Sequence, residues 1–301
     1  MTKRRALAAI ALGLAIAGVA FWWLTRPDPL PASAIPAHEA DLRNGETLYR
    51  AGSCLACHRP PDTGTGLDRG LPSGGRPFPT PVGVFYPQNI TPDRETGIGR
   101  WSVADFVNAM ARGLAPDGRH YFPAFPYMAY RAMRLIDLLD LRAYLMSLPA
   151  VSAPSHEADV PLVGLARRGV GLWKLAAFRR LPYRHDSVPS ASWTRGAYLV
   201  NAPGHCGECH TPKNWLMIED LGRHLAGGPH PGGEGKVPSL RGLLGRKRYA
   251  DVGDLVLALQ NGETLGYENL SSGGMAAVQE SLSRLPEADL RAISEYLLSL
   301  Q

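Results

Sequence analysis

All four cysteines of this 301-residue chain fall in two short runs, Cys54-Leu55-Ala56-Cys57-His58 and Cys206-Gly207-Glu208-Cys209-His210. Each run is C-x-x-C-H, the attachment pattern for a c-type haem. The order has a chemical reason. Two thiols about one helical turn apart can add to the two vinyl groups on one haem edge, and the next residue's imidazole then reaches the iron as the proximal ligand. Four cysteines are too few to scaffold a chain of this length with disulfides. A thioredoxin-like pair does not require the histidine and does not recur in this way. A shared four-cysteine zinc site fits the spacing alone. Two copies of the full motif, consuming every cysteine, favour two covalently bound haems c. Cys54, Cys57, His58, Cys206, Cys209 and His210 are then cofactor-binding residues, and no catalytic residue is predicted.

An electron-transfer haem normally takes a second strong axial ligand, Met or His, and in small cytochromes of this kind it comes from the loop before the terminal helix. The second half offers Met275 there, in Ser272-Gly273-Gly274-Met275-Ala276, and no histidine lies between His230 and the C-terminus. The first half offers Met133, which directly precedes the terminal helix, and Met128, with His120 as an outsider. Met133 is preferred and Met128 stays open. The predicted iron ligands are therefore His58, Met133, His210 and Met275. Met110, Met146 and Met217 read as packing residues, and His205 as structural.

The elements that must position these groups also repeat. The motifs are 152 residues apart, and the same offset relates Tyr144-Leu145-Met146-Ser147-Leu148 to Tyr296-Leu297-Leu298-Ser299-Leu300. Leu138, Leu141, Leu145 and Leu148 recur at helical spacing before Pro149, as do Leu290, Ile293 and Leu297 after Pro286, Glu287 and Asp289. A middle helix begins at a capping box of Ser102 and Asp105 and stops at Gly113; Asp251, Asp254 and Gly262 repeat that plan. Gly and Pro contribute 33 and 26 residues, so loops wrapped around a flat macrocycle replace layered structure. The expectation is an all-α chain of two tandem cytochrome c domains, 38–150 and 191–301, joined by a linker at 151–190.

Ahead of them, Lys3, Arg4 and Arg5 precede an uncharged run from Ala6 to Leu24 that ends in Phe21-Trp22-Trp23. Such a helix spans the ~30 Å of a hydrocarbon core, with its basic end cytoplasmic and its tryptophans at the far interface. Residues 1–26 are read as a retained single-pass anchor in a bacterial inner membrane, with the haem domains in the periplasm. A cleaved signal, with Ala32-Ser33-Ala34 as its cleavage site, is the competing reading. Formal net charge is +5, three of it in the basic flank, so no nucleic-acid footprint remains. Arg167, Arg168, Lys174, Arg179 and Arg180 cluster around Trp173 and Phe178. A connector packed between the two domains is the preferred reading of that stretch, and a membrane-surface segment the other.

Phe85-Tyr86-Pro87-Gln88-Asn89-Ile90-Thr91-Pro92-Asp93, Thr96-Gly97-Ile98-Gly99 with Trp101, Pro123-Ala124-Phe125-Pro126-Tyr127 and Ala143-Tyr144-Leu145 form one set of further motifs. Gly204 to Asn214, around the second haem motif, and Leu225-Ala226-Gly227-Gly228 form another. Together they resemble the multihaem cytochrome c subunits of membrane-bound alcohol, aldehyde and gluconate-type dehydrogenases, and related dihaem cytochromes. The resemblance covers nearly everything from residue 40 onward. Many members carry three haem motifs where this chain has two, and some read Pro-Ala-Met-Pro-Tyr where this chain has Phe125. In members with Phe there, a Met before the terminal helix is the natural candidate, which supports Met133. The resemblance also places the Asn89–Asp93 loop at the haem edge, as a wall or as a propionate contact.

The expected function is an electron relay without substrate chemistry. Electrons enter from a periplasmic dehydrogenase subunit or soluble redox partner and leave toward quinone or a terminal oxidase of the respiratory chain. The rival is a dihaem enzyme, a cytochrome c peroxidase or sulfur-compound dehydrogenase, which needs an iron with an open site.

Overall fold

The computed structural model describes residues 3–61, 70–179, 189–230, 235–245, 249–261 and 274–301. Its first element follows from composition alone: α1 (Lys3–Leu24) is long and apolar enough to cross a membrane and buries none of its residues against the rest of the chain. A signal sequence passes the same test.

The first half contains α2 (Leu42–Ala51), the motif turn α3 (Cys54–His58), α4 (Val103–Arg112), the single turn α5 (Tyr127–Tyr130) and α6 (Leu135–Ser147). After a connecting helix, α7 (Val163–Ala177), the plan recurs. It runs α8 (Ala191–Asn201), the motif turn α9 (Gly207–His210), α10 (Val252–Asn261), α11 (Gly274–Leu282) and α12 (Glu287–Ser299). Helix α4 carries the expected reciprocal capping box between Ser102 and Asp105, and Gly113 ends it at φ 59°. At α10, Asp251 accepts from the Asp254 N–H, while the Asp254 carboxylate reaches back to the Ala250 N–H. Gly262 lies outside the described residues. Two short antiparallel hairpins interrupt the helical plan: β1 (Phe78–Thr80) with β2 (Gly83–Phe85), and β3 (Gly228–Pro229) with β4 (Lys236–Val237).

In each half the helix before the motif crosses the terminal helix at a glycine. A Cβ on Gly45 would lie 2.2 Å from the Asp140 carbonyl oxygen, and one on Gly196 only 1.8 Å from that of Ala292. Only glycine lets the backbones approach so closely. The crossings close two apolar cores. Leu48, Phe106, Val107, Leu138 and Leu141 build the first; Trp193, Leu199, Leu255, Leu290 and Tyr296 build the second. Each large apolar side chain buried there stabilises the fold by roughly 1.5–3 kcal/mol. The cores exchange residues: Ala51 of the first half packs into the second core, and Ala202 of the second into the first.

Helix α7 joins both halves. The Lys174 Nζ donates to the Arg112 and Gly113 carbonyls at 2.6 and 2.8 Å, and the Trp173 Nε1–H donates to the Leu216 carbonyl at 2.7 Å. The outer face of α7 is apolar and exposed, as developed below. Met217 departs from expectation. It is half-exposed at a tight turn with φ 57°, and the packing role assigned to it does not hold.

Candidate functional site

The chain enters each motif turn through a left-handed residue, Ser53 at φ 47° and His205 at φ 41°. That kink ends the preceding helix and starts a new turn carrying the two thiols. Cys54 and Cys206 are half-buried, Cys57 and Cys209 are exposed, and none of the four forms a disulfide. Burial, reinforced by the second thiol of each motif, pushes Cys54 and Cys206 up to about 12.

The histidines are set by one device used twice. The His58 Nδ1–H donates to the Gln88 carbonyl at 2.6 Å, and the His210 Nδ1–H to the Pro238 carbonyl at 2.8 Å. A carbonyl can only accept, so the proton is on Nδ1 and the Nε2 lone pair is left for a metal. Burial pulls both imidazoles below their ordinary value, which keeps them neutral. The backbone is locked as well: the Gly74 N–H donates to the His58 carbonyl at 2.6 Å, and the Gly227 N–H to the His210 carbonyl at 2.7 Å. Both glycines are left-handed, at φ 76° and 73°. A Cβ on either would collide with the strand that supplies the histidine's acceptor. Sequence reasoning missed these supports, although a Gly-Gly pair follows each motif at nearly equal distance.

The two motif turns meet across the seam between the halves. The His205 Nε2 hydrogen-bonds the Gly52 carbonyl at 3.2 Å. The His205 ring packs edge-on to Tyr130, centroids 5.6 Å apart. Tyr130 lies within electrostatic range of Cys54, Cys57 and Glu208, and Cys57 within that of Cys209. The Ser281 hydroxyl on α11 donates to the Arg50 carbonyl at 2.9 Å, bringing the Met275 helix of the second half against α2. Neutral thiols, oriented imidazoles and glycine-framed loops fit a haem c at each turn. No cluster of His, Cys, Asp or Glu able to hold a bare metal ion occurs among the described residues.

Residues 42–149 match the family model described as cytochrome c. A "Diheme cytochrome c-type" protein of Cereibacter sphaeroides is 39% identical over 296 residues, covering 98% of this chain and 97% of that protein. The chain belongs to the cytochrome c family. Its members bind haem c and transfer electrons, and the same holds here. The fructose dehydrogenase cytochrome subunit of Gluconobacter japonicus is 36% identical over 278 residues, covering 91% of this chain. The gluconate 2-dehydrogenase cytochrome c subunit of Pantoea cypripedii is 34% identical over 278 residues, covering 88% of this chain. This cytochrome spans 54% of the first of these and 60% of the second.

The candidate axial methionines of this cytochrome occupy different environments. Met133 is buried in the first core with Leu48, Ile98 and Tyr130. Met128 is half-buried and lines a crevice shared with Gly207, Glu208 and Lys213 of the second half. His120 is remote from both roles, because its Nε2–H donates to the Thr25 carbonyl at 2.9 Å and its Nδ1 accepts from Lys174 at 3.1 Å. Met275, expected in a loop, is the second residue of α11. Residues 272 and 273 lie outside the described residues. The Asn89 side chain ties its loop to neighbouring segments: Oδ1 accepts from the Thr91 N–H and hydroxyl, and Nδ2 donates to the Thr96 hydroxyl and the Val151 carbonyl.

The charges beside the two turns differ. Arg59 follows His58 with a buried Nη1 that has no hydrogen-bond partner among the described residues, and Arg76 donates to the Ala56 carbonyl at 3.2 Å. Around the second turn, Lys213 donates to Glu208 at 2.6 Å. A Cβ on Gly207 would lie 3.1 Å from a Glu219 carboxylate oxygen. Burial, then repulsion from Glu208, pushes Glu219 up to about 7.

Proposed function

We propose that this cytochrome carries two haems c, one per half, and relays electrons from a periplasmic dehydrogenase toward quinone or a terminal oxidase. It is held to the membrane by α1, in domains that run over 38–150 and 191–301. The observation that carries this reading is the seam, where two equivalently built motif turns face each other with Cys57 and Cys209 in electrostatic range. When bound, each haem supplies a reversible one-electron iron couple. The protein's residues do the rest. Cys54 and Cys57, and Cys206 and Cys209, would hold the haems by adding their S–H groups across the vinyls. His58 and His210, held through Nδ1 by the Gln88 and Pro238 carbonyls, would offer Nε2 to the iron. Met133 and Met275 are the proposed sixth ligands. The position of Met128 in the inter-half crevice supports Met133 over it. The names of the relatives, cytochrome subunits of fructose, gluconate and alcohol dehydrogenases, support a dehydrogenase as electron donor.

The test is made on the purified holoprotein. Pyridine haemochrome analysis is expected to give two haems c per chain. The ferric spectrum is expected to be low-spin with the long-wavelength methionine–iron band, and peroxide is not consumed. One haem per chain, or a high-spin centre together with peroxide turnover, overturns the relay.

A further inference from the structure

Helix α7 turns an apolar face outward. Leu162, just ahead of it, and Leu165 are 78% and 61% exposed, and Leu172 and Leu175 are also exposed. The opposite face, with Val170, Gly171, Lys174 and Ala177, is buried against the protein. No acidic residue occurs between Asp159 and Asp186. Arg168 and Arg179 flank the apolar face, while Arg167 turns back to Glu157 and the Phe122 ring. The Trp173–Leu216 hydrogen bond brings in the turn bearing Trp215, which is 87% exposed. Isolated exposed leucines need no explanation, but a helix-long apolar face rimmed by arginines does.

What covers that face is indicated by its neighbour. The Arg168 Nη2 donates to the Trp22 carbonyl at 2.6 Å, and its guanidinium lies 4.0 Å from the Trp22 ring centroid. One turn on, a Cβ on Gly171 would meet Thr25 at 2.8 Å, and Thr25 is fully buried. Contacts therefore advance together along both helices, from Trp22 to Thr25 and from Arg168 to Gly171. The N-terminal half of α7, with Leu165, lies on the side of Thr25 toward α1. His120, bonded to both the Thr25 carbonyl and Lys174, clamps the junction.

We propose that α7 is a membrane-surface helix, its leucine face seated in the phospholipid leaflet from which the C-terminal end of α1 emerges. This rests on reading α1 as a retained span. The arginines at the rim meet lipid phosphates, and tryptophans 22, 23 and 215 suit the headgroup level. The two helices together fix how the haem seam is oriented above the bilayer.

The test uses the full-length holoprotein in phospholipid nanodiscs with one added cysteine, since thioether bonds consume the native four. A nitroxide at Leu165→Cys is compared with one at Leu14→Cys in α1 and one at exposed Glu95→Cys as an aqueous reference. The haem spectrum checks that each variant has folded. The Leu165 label is expected to collide with oxygen several-fold more than with a water-soluble nickel chelate, as Leu14 does and Glu95 does not. A water-like Leu165 with a lipid-like Leu14 overturns the docking of α7 and leaves the anchor standing. A water-like Leu14 overturns the anchor, and the inference with it. A Leu165 label shielded from both relaxants means that protein covers the face, which overturns the lipid assignment.

Discussion

Arg59 and Arg76 border the first motif turn, whereas Glu208, Lys213 and Glu219 border the second. Around this contrast nearly everything else is duplicated. Both turns start from a left-handed residue, both histidines donate to a carbonyl, and both are braced by a left-handed glycine. On the proposed reading, the shared parts would fix where a macrocycle sits and how its iron is ligated. The parts that differ are charges, and charge near a haem sets its potential. Arginines favour ferrous iron and ionised carboxylates favour ferric iron, so the first centre is expected to have the higher potential. Under the proposed relay, electrons are then expected to move from the second half to the first across the seam.

The largest expected effect breaks the duplication itself. Cys206→Ala with Cys209→Ala should reduce haem content from two per chain to one and abolish relay, while Cys54→Ala with Cys57→Ala should do the same from the other side. A haemochrome assay decides it; an unchanged count would refute one haem per half. A narrower intervention exploits Met133, whose counterpart at the 152-residue offset is Leu285. Both N–H groups bond to the carbonyl three residues earlier, and both side chains are buried in their cores. Met133→Leu copies the second half's residue and, as a volume-conserving exchange, should cost less than ~1.5 kcal/mol. Its expected signature is loss of one methionine–iron band and a lower potential for one haem, with the fold kept. If both bands persist, Met133 is simply the first half's Leu285, and Met128→Leu becomes the variant to measure.

The helix crossings offer a test of stability. Gly196→Ala places a methyl 1.8 Å from the Ala292 oxygen, and Gly45→Ala places one 2.2 Å from that of Asp140. Overpacking of this kind should cost about 3 kcal/mol at Gly196 and somewhat less at Gly45, far outweighing the ~1 kcal/mol alanine gains as a helix former. Denaturant unfolding of the holoprotein measures the difference. Equal stability of both variants and the parent would mean that the crossings do not bear on the glycines.

Much of this architecture was legible in the chain because its signals are local. Five consecutive residues define each motif, Ser102 and Asp105 announce α4, and the leucine spacing before Pro149 announces α6. The facing of Gly52 and His205, the bond from Trp173 to Leu216 and the clamp of Thr25, His120 and Lys174 join residues far apart in sequence, which no periodicity records. Met275 was misplaced for a related reason: the preceding Ser-Ser-Gly-Gly run reads as loop, yet Ala276, Ala277, Val278 and Gln279 propagate a helix that α2 helps to seat. The outward leucines of α7 were visible, but only its contact with Trp22 tells which face is free.

The smallest effect separates the two centres by pH. Burial and Glu208 hold Glu219 at about 7, well above an ordinary glutamate. Below that pH the carboxyl is neutral; above it, a negative charge stands within electrostatic range of Cys209. That charge stabilises the more positive ferric site, so the potential of the second haem should fall as pH rises through about 7. The slope should stay below ~59 mV per pH unit, the one-electron equivalent of a tenfold change. The first haem should be flat over the same range, because its arginines keep their charge. Folding stability carries the same sign. Between the ordinary glutamate value of 4.5 and about 7 the folded chain keeps a proton that the unfolded chain has lost. Stability therefore declines as pH rises through that window. Glu219→Gln should flatten both curves and raise the second potential above pH 7, as read by spectroelectrochemical titration of each haem. A slope that survives the substitution, or one that appears at the first haem instead, would remove Glu219 as the source of the asymmetry.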